Sequence, residues 1–209
     1  MDSANVLTPP ICINGQPCSN KHLWFISGPA GCGKSTIANH IASSLNIPFL
    51  EGDDYHSQEN VEKMRTGTPL TDSDRWDWLC FLLKASIEAF SMPATTLPFA
   101  PSHSVVVTCS ALKRKYRDVM RVAPYYDPSI KVHFIYLDAD EDMLLQRVTR
   151  RKDHYMGMDM VKSQLESLEV PGPKEADVST VQAKLMKDQV EQRVLELVKA
   201  EMASEAKLA

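Results

Sequence analysis

Apolar and polar positions alternate in blocks along the chain. Leu23 to Ser27 is a short apolar run ending at Gly28, and from Ser35 to Leu45 apolar residues return at Ile37, Ile41, Ala42 and Leu45, the spacing of one helix face. The pattern predicts strand, glycine-rich turn, helix. Pro48 to Leu50 is a second short strand, followed by the acids Glu51, Asp53 and Asp54 and by a polar helix over Ser57 to Thr66 that Gly67 and Pro69 terminate. Thr71 and Asp72 offer N-caps for a long helix whose Leu79, Leu82, Leu83, Ile87 and Phe90 share one face. Pro93, Pro98 and Pro101 make Met92 to Ser102 a surface loop before a strand over Ser104 to Cys109. Val132 to Leu137 predicts a further strand, followed by a helix through Leu144 and Arg147 and a charged stretch from Arg150 to His154. A helix over about Met158 to Glu169 stops at Pro171 and Pro173. Asp177 to Gln182 is a last edge strand, and Val190, Val194, Leu197 and Val198 mark a final amphipathic helix.

Five strands alternating with helices predict an α/β fold: a parallel sheet covered on both faces, with ligands bound beyond the carboxyl ends of the strands. A chain of 209 residues suits one domain. We expect that domain over 21–200, between an N-terminal tail at 1–20 and a C-terminal tail at 201–209. The first twenty residues carry Pro9, Pro10, Asn14, Gln16 and Asn20, with no basic start leading into an apolar run, so neither a signal peptide nor a membrane span is expected. Five cysteines (Cys12, Cys18, Cys32, Cys80, Cys109) without paired zinc-type spacing fit thiols in a reducing compartment, and a cytoplasmic address follows. A net charge of -4 gives no general attraction to nucleic acid, so any affinity for phosphate must be local.

The local site is Gly28-Pro29-Ala30-Gly31-Cys32-Gly33-Lys34-Ser35, a match to G-x-x-x-x-G-K-[ST] between a predicted strand and a predicted helix. Glycines let successive backbone N–H groups wrap phosphate oxygens, and the helix N-terminus adds its positive end. Lys34 is expected to reach the β and γ phosphates of ATP, the Ser35 hydroxyl to bind Mg²⁺, and Thr36 to complete the nucleotide site. Cys32 reads as a tolerated small residue of the loop. A guanine-reading Asn-Lys-x-Asp segment is missing, and the third strand ends in Cys109-Ser110 where an ATPase motor would carry acids. The acids stand instead at the end of the second strand, at the edge where an acceptor binds, which favours a small-molecule kinase. Asp53 is the candidate to accept the proton of the attacking hydroxyl and to orient Mg²⁺ through water.

Longer segments carry a resemblance. Gly52-Asp53-Asp54-Tyr55-His56, then Asn60, Lys63-Met64, Gly67, Pro69-Leu70, Asp72, Asp74-Arg75 and Trp78-Leu79 resemble the acceptor region of the gluconokinase family. Cys109-Ser110-Ala111-Leu112-Lys113-Arg114-Lys115-Tyr116-Arg117-Asp118 is similar to that family's third-strand signature, and Arg151-Lys152-Asp153-His154-Tyr155 through Gln164 to Glu169 resembles its lid. The likeness covers roughly Trp24 to Asp177. It departs at Pro29-Ala30, where bacterial members tend to have Val-Ser, and at Asp77, where a proline is common; neither change removes a phosphate-binding group.

The resemblance implies a P-loop NTPase of the nucleoside-monophosphate-kinase type, with an acceptor region at about 53–90 and a mobile lid at about 150–170. It implies transfer of the γ-phosphoryl of ATP to the 6-hydroxyl of D-gluconate, giving 6-phosphogluconate for the pentose phosphate pathway, and it implies a homodimer. A carboxylate and a row of hydroxyls call for cations and hydrogen-bonding groups around an acid. Arg75 is expected at the carboxylate or the transferring phosphate, Lys113 at substrate, and His56 at a hydroxyl or in a structural role. Arg117 serves either substrate or a pairing with Asp118 or another acid. Arg147 and Arg151 flank the lid, one to stack on adenine and the other, Arg151, to approach the γ-phosphate. Trp76 and Trp78 read as helix packing. Shikimate or a nucleoside monophosphate as acceptor, and a nucleotide-binding module without turnover, are the rival readings.

Overall fold

The computed structural model describes residues 20–91, 103–150 and 158–206. Its centre is an all-parallel sheet in the order β2-β3-β1-β4-β5, formed by β1 (Lys21–Ser27), β2 (Phe49–Leu50), β3 (Ser104–Thr108), β4 (Ile130–Asp138) and β5 (Val178–Gln182). The helices are α1 (Lys34–Leu45), α2 (Gln58–Arg65), α3 (Asp72–Glu88), α4 (Arg114–Met120), α5 (Ala123–Tyr126), α6 (Glu141–Thr149), α7 (Met158–Glu166) and α8 (Lys187–Ala206).

Strand period decides which side chains enter which core. Trp24 and Ile26 of β1 join Ile37, Ile41, Leu144 and Val194 on one face, whereas Leu23 and Phe25 join Leu79, Leu82, Tyr116 and Met120 on the other. Both faces are therefore covered, as the uninterrupted burial of β3 requires of an interior strand. β5, where Val181 alone is buried and Ser179, Thr180 and Gln182 are exposed, is the lightly covered strand expected at an edge. The expected strands all appear, with β1 and β4 each starting two residues earlier than the apolar run alone indicated.

Several expectations are corrected at their ends. Phe90 lies in a short 3-10 turn beyond α3, although it is buried as its spacing required. Helix α7 stops at Glu166, because the Glu169 amide leaves the helix to donate to Leu112 O at 2.9 Å. Helix α8 continues to Ala206, into the span expected as a C-terminal tail. The two short helices α4 and α5 fall where no element was expected. The N-terminal tail over 1–19, the proline-rich loop over 92–102 and the segment 151–157 lie outside the described residues.

Candidate active site

At the carboxyl end of β1, Gly28, Gly31 and Gly33 take positive φ values of 137°, 87° and 106° and turn the chain into α1. Gly33 is the N-cap of α1 and offers no side-chain cap, and no acid occupies the first turn. The first N–H groups of α1 are thereby left to an external anion, which is the arrangement a phosphate needs. Lys34 lies back over this loop, its Nζ donating to Gly28 O at 3.0 Å and Pro29 O at 3.1 Å. The Cys32 thiol is buried and burial pushes its pKa up, so it stays protonated and unreactive.

The turn after β2 is fixed from three sides. Gly52 N–H donates to Thr108 Oγ1 at 2.9 Å, Trp78 Nε1–H donates to Gly52 O at 2.7 Å, and the Thr108 hydroxyl donates to the Glu51 carboxylate. A Cβ on Gly52 would lie 2.0 Å from Thr108 O, so only glycine fits there. The turn presents Asp53 to a cavity whose walls also include Gly31, Gly33, Lys34, Ser35, Glu51, His56, Arg75 and Ser110. Phosphate loop and acceptor acids thus share one space.

His56 stacks on Trp78 with ring centroids 4.3 Å apart and planes 12° apart. Burial, and after it the Arg75 charge, pull its pKa from 6.5 down to about 4, so the imidazole is neutral near pH 7. Its Nδ1 is buried without a hydrogen-bond partner, which leaves a polar atom for a ligand to satisfy. Arg75, only 8% exposed, reaches the cavity from α3. No carboxylate pairs with it among the described residues; its guanidinium lies 5.8 Å from the centre of the Tyr116 ring.

Two expected substrate cations are placed elsewhere. Lys113 Nζ donates to Asp72 Oδ1 at 2.9 Å, and the same carboxylate takes Lys115 and the Tyr116 hydroxyl, so Lys113 serves the junction of α3 and α4 and does not line the cavity. Arg117 is 1% exposed and makes a bidentate pair with Glu175, with Nε to Oε2 and Nη2 to Oε1 both 2.7 Å. Its Nη1 donates to Ala111 O at 2.9 Å. Of the expected acids, the partner is therefore a buried one, Glu175, and not Asp118, which pairs with Arg121. The signal for this was absent from local spacing, because Glu175 is 58 residues away in the chain.

Arg147 borders a second hollow on the outer side of the loop, with Gly31, Cys32, Thr36, Ile37, Arg150 and Leu185. It donates to Cys32 O at 3.3 Å and Ala183 O at 3.2 Å, which ties α6 to the loop and to the segment after β5. Arg151 lies outside the described residues. Of the tryptophans, Trp78 is packed as expected, while Trp76 is 39% exposed and meets Tyr116 edge-on. The cavity also contains Met64, Met160 and Gln164, none of which stood out by residue type.

Residues 23–171 match the family described as AAA domain. A probable gluconokinase of Schizosaccharomyces pombe is 43% identical over 90% of this chain and 93% of its own length. The thermoresistant gluconokinase of Escherichia coli is 39% identical over 77% of this chain and 83% of its own. The chain belongs to the gluconokinase family. A solved gluconokinase from Sinorhizobium meliloti superposes with a TM-score of 0.71 at 32% identity, covering 91% of this chain and 96% of that one. In this member of the gluconokinase family, Glu51 and Asp53 at the end of β2 and Arg75 of α3 line one cavity.

Proposed function

We propose that this protein transfers the γ-phosphoryl group of ATP to the 6-hydroxyl of D-gluconate, releasing ADP and 6-phosphogluconate, which feeds the pentose phosphate pathway. The observation that carries the reading is the meeting, in one cavity, of Lys34 and Ser35 with Asp53, neutral His56 and Arg75, which has no carboxylate partner among the described residues. The first two suit a nucleotide triphosphate; the last three suit a polyhydroxy acid.

The loop N–H groups and the N-terminus of α1 hold the phosphates, and Lys34 brings a positive charge to the β and γ positions. Asp53 accepts the proton of the attacking 6-hydroxyl as the new O–P bond forms and the bond from Pγ to the bridging oxygen of ADP breaks. His56, uncharged on its Trp78 platform, hydrogen-bonds a hydroxyl, and Arg75 takes an anionic oxygen of the gluconate carboxylate or of the phosphoryl in flight. The donor set fits Mg²⁺, which ordinarily keeps several waters and takes one or two protein oxygens beside substrate phosphates. Ser35 and Asp53, on the walls of the same cavity, are the residues that would hold it. When bound it neutralises charge on the phosphates during transfer. Arg147 and Thr36 bound the hollow read as the adenine side. Arg151, in the span read as a lid, is proposed to meet the γ-phosphate, and Arg151→Ala is expected to cost on the order of 10³-fold or more in turnover.

No helix among the described residues is long and apolar enough to cross a membrane. The remaining parts of the reading are a cytoplasmic homodimer, tested by sedimentation of the purified protein, and a single kinase domain that follows an N-terminal tail.

The deciding experiment is ADP release with Mg-ATP and D-gluconate, shikimate, AMP or no acceptor, repeated with Lys34→Ala. Gluconate-dependent turnover that disappears in the variant is the expected result. Turnover with another acceptor would replace the substrate, and no turnover with any would reject a kinase of these acceptors.

A further inference from the structure

Helix α7 touches both halves of the site. On the nucleotide side, Gln164 Oε1 accepts from Ala30 N–H at 2.7 Å, across 134 residues of chain, with Gln164 only 4% exposed. A backbone N–H needs an acceptor and only the oxygen of a carboxamide can supply one, so this bond fixes which end of the amide faces the loop. On the acceptor side, one turn earlier, Met160 packs with Met64 of α2 and with Leu70 in a small apolar cluster separate from both main cores. Both Met64 and Met160 also line the cavity. Beyond α7 the chain is tied down again: Glu169 N–H donates to Leu112 O at 2.9 Å and its carboxylate accepts from Arg114 N–H at 2.7 Å. The helix is thus hinged on the loop after β3 and rests on the phosphate loop and the acceptor helix at once.

We infer that Gln164 is a positioning residue for phosphoryl transfer. Its bond to Ala30 sets the phosphate loop in register with α7, and Met160 carries that register to α2, so that occupation of one half of the cavity favours binding in the other. The inference rests on the kinase reading given above. It requires coupled binding, because a residue that merely filled space between α7 and the loop would hold both halves whether or not either was occupied.

The test uses the full chain with Gln164→Met, which preserves length and removes the strong acceptor, and with Met160→Ala, which cuts the other contact. A Mg²⁺ complex of a non-hydrolysable ATP analogue is titrated with and without saturating D-gluconate, and Ala30 amide exchange is followed by NMR. In the native protein gluconate should tighten analogue binding about 5-fold or more, within the usual range of coupling between sites. Gln164→Met should remove Ala30 protection, bring that ratio near one, and lower kcat by about 10-fold, the equivalent of one lost hydrogen bond to a buried group. Met160→Ala should reduce the ratio while Ala30 stays protected. Native coupling and kcat in Gln164→Met would overturn the proposal, as would absence of coupling in the native protein, or a fall in melting temperature with coupling intact. Gluconate turnover by the native protein is measured alongside. If another acceptor is turned over instead, that acceptor takes gluconate's place in the titration, so failure of the substrate reading and failure of the Gln164 role give different results.

Discussion

Trp78 and Gly52 are joined by a 2.7 Å hydrogen bond from the indole N–H to the carbonyl oxygen, and this bond ties the long helix α3 to the turn that presents Asp53. The same indole carries His56 on its face, so one buried side chain sets the heights of both an acid and an imidazole in the cavity. Trp78→Phe keeps an aromatic surface and deletes the donor. Leaving the Gly52 carbonyl without its partner should cost about 1–3 kcal/mol in urea unfolding. Turnover should fall more than stability at saturating ATP, since the Asp53 turn is loosened. Equal kcat in variant and native protein would show that the turn holds its place without the bond.

Gly52 itself admits no side chain. The 2.0 Å separation between a hypothetical Cβ and Thr108 O involves backbone on both sides, so no rotamer change relieves it. Gly52→Ala must push β2 away from β3 at the point where Glu51 and Asp53 emerge, and overpacking of this kind costs about 1–3 kcal/mol or more. We expect a lower melting temperature together with a loss of kcat of at least about 10²-fold, the scale of a displaced general base. A stable variant with native kcat would mean that Asp53 is not placed by this strand contact.

The low pKa of His56 has a stability consequence of definite sign. Its folded value, about 4, lies below the unfolded 6.5, so between these pH values the unfolded chain binds the extra proton. The associated stability is complete above pH 6.5, declines as pH falls toward 4, and amounts to at most about 3 kcal/mol. His56→Gln should flatten that part of the stability curve. NMR titration of the His56 ring checks the cause directly: a midpoint near 6.5 in the folded protein would remove the basis for a neutral hydrogen-bonding partner.

Much of this was legible in the chain because the signals are local. The loop motif names its own chemistry, the apolar periods of β1, β3 and α3 name their cores, and Thr71, one of the two N-caps the chain offers, caps α3, where the structure adds a reciprocal bond with Asp74. What stayed hidden depends on partners distant in sequence. Lys113 follows a strand at the active edge, yet Asp72, 41 residues earlier, takes its charge. Gln164 belongs to the segment that resembles a lid, but its bond to Ala30, 134 residues earlier, has no local signal. Helices α4 and α5 are too short, at 7 and 4 residues, to display a period, and α4 buries a charged residue on its inner face.

That charged residue supports the last prediction. Arg117 and Glu175 form a bidentate pair with side chains 2% and 6% exposed, and Arg121 adds a second contact to Glu175 at 2.8 Å. Hydrogen bonding from Arg117, then from Arg121, lowers the Glu175 pKa from 4.5 to about 2. Because the folded value is depressed, the pair's contribution is complete above pH 4.5 and is lost as pH falls toward 2. Arg117→Leu would leave the buried Glu175 with Arg121 as its one cationic partner among the described residues and should cost up to about 3 kcal/mol, whereas the double change Arg117→Leu with Glu175→Leu removes both charges and should recover part of that loss. Since the pair sits outside the cavity, kcat/KM of the folded double variant should stay within about 3-fold of native, far below the loss expected of a substrate-binding arginine. A large fall in kcat/KM with stability retained would return Arg117 to the substrate site and contradict the placement seen here.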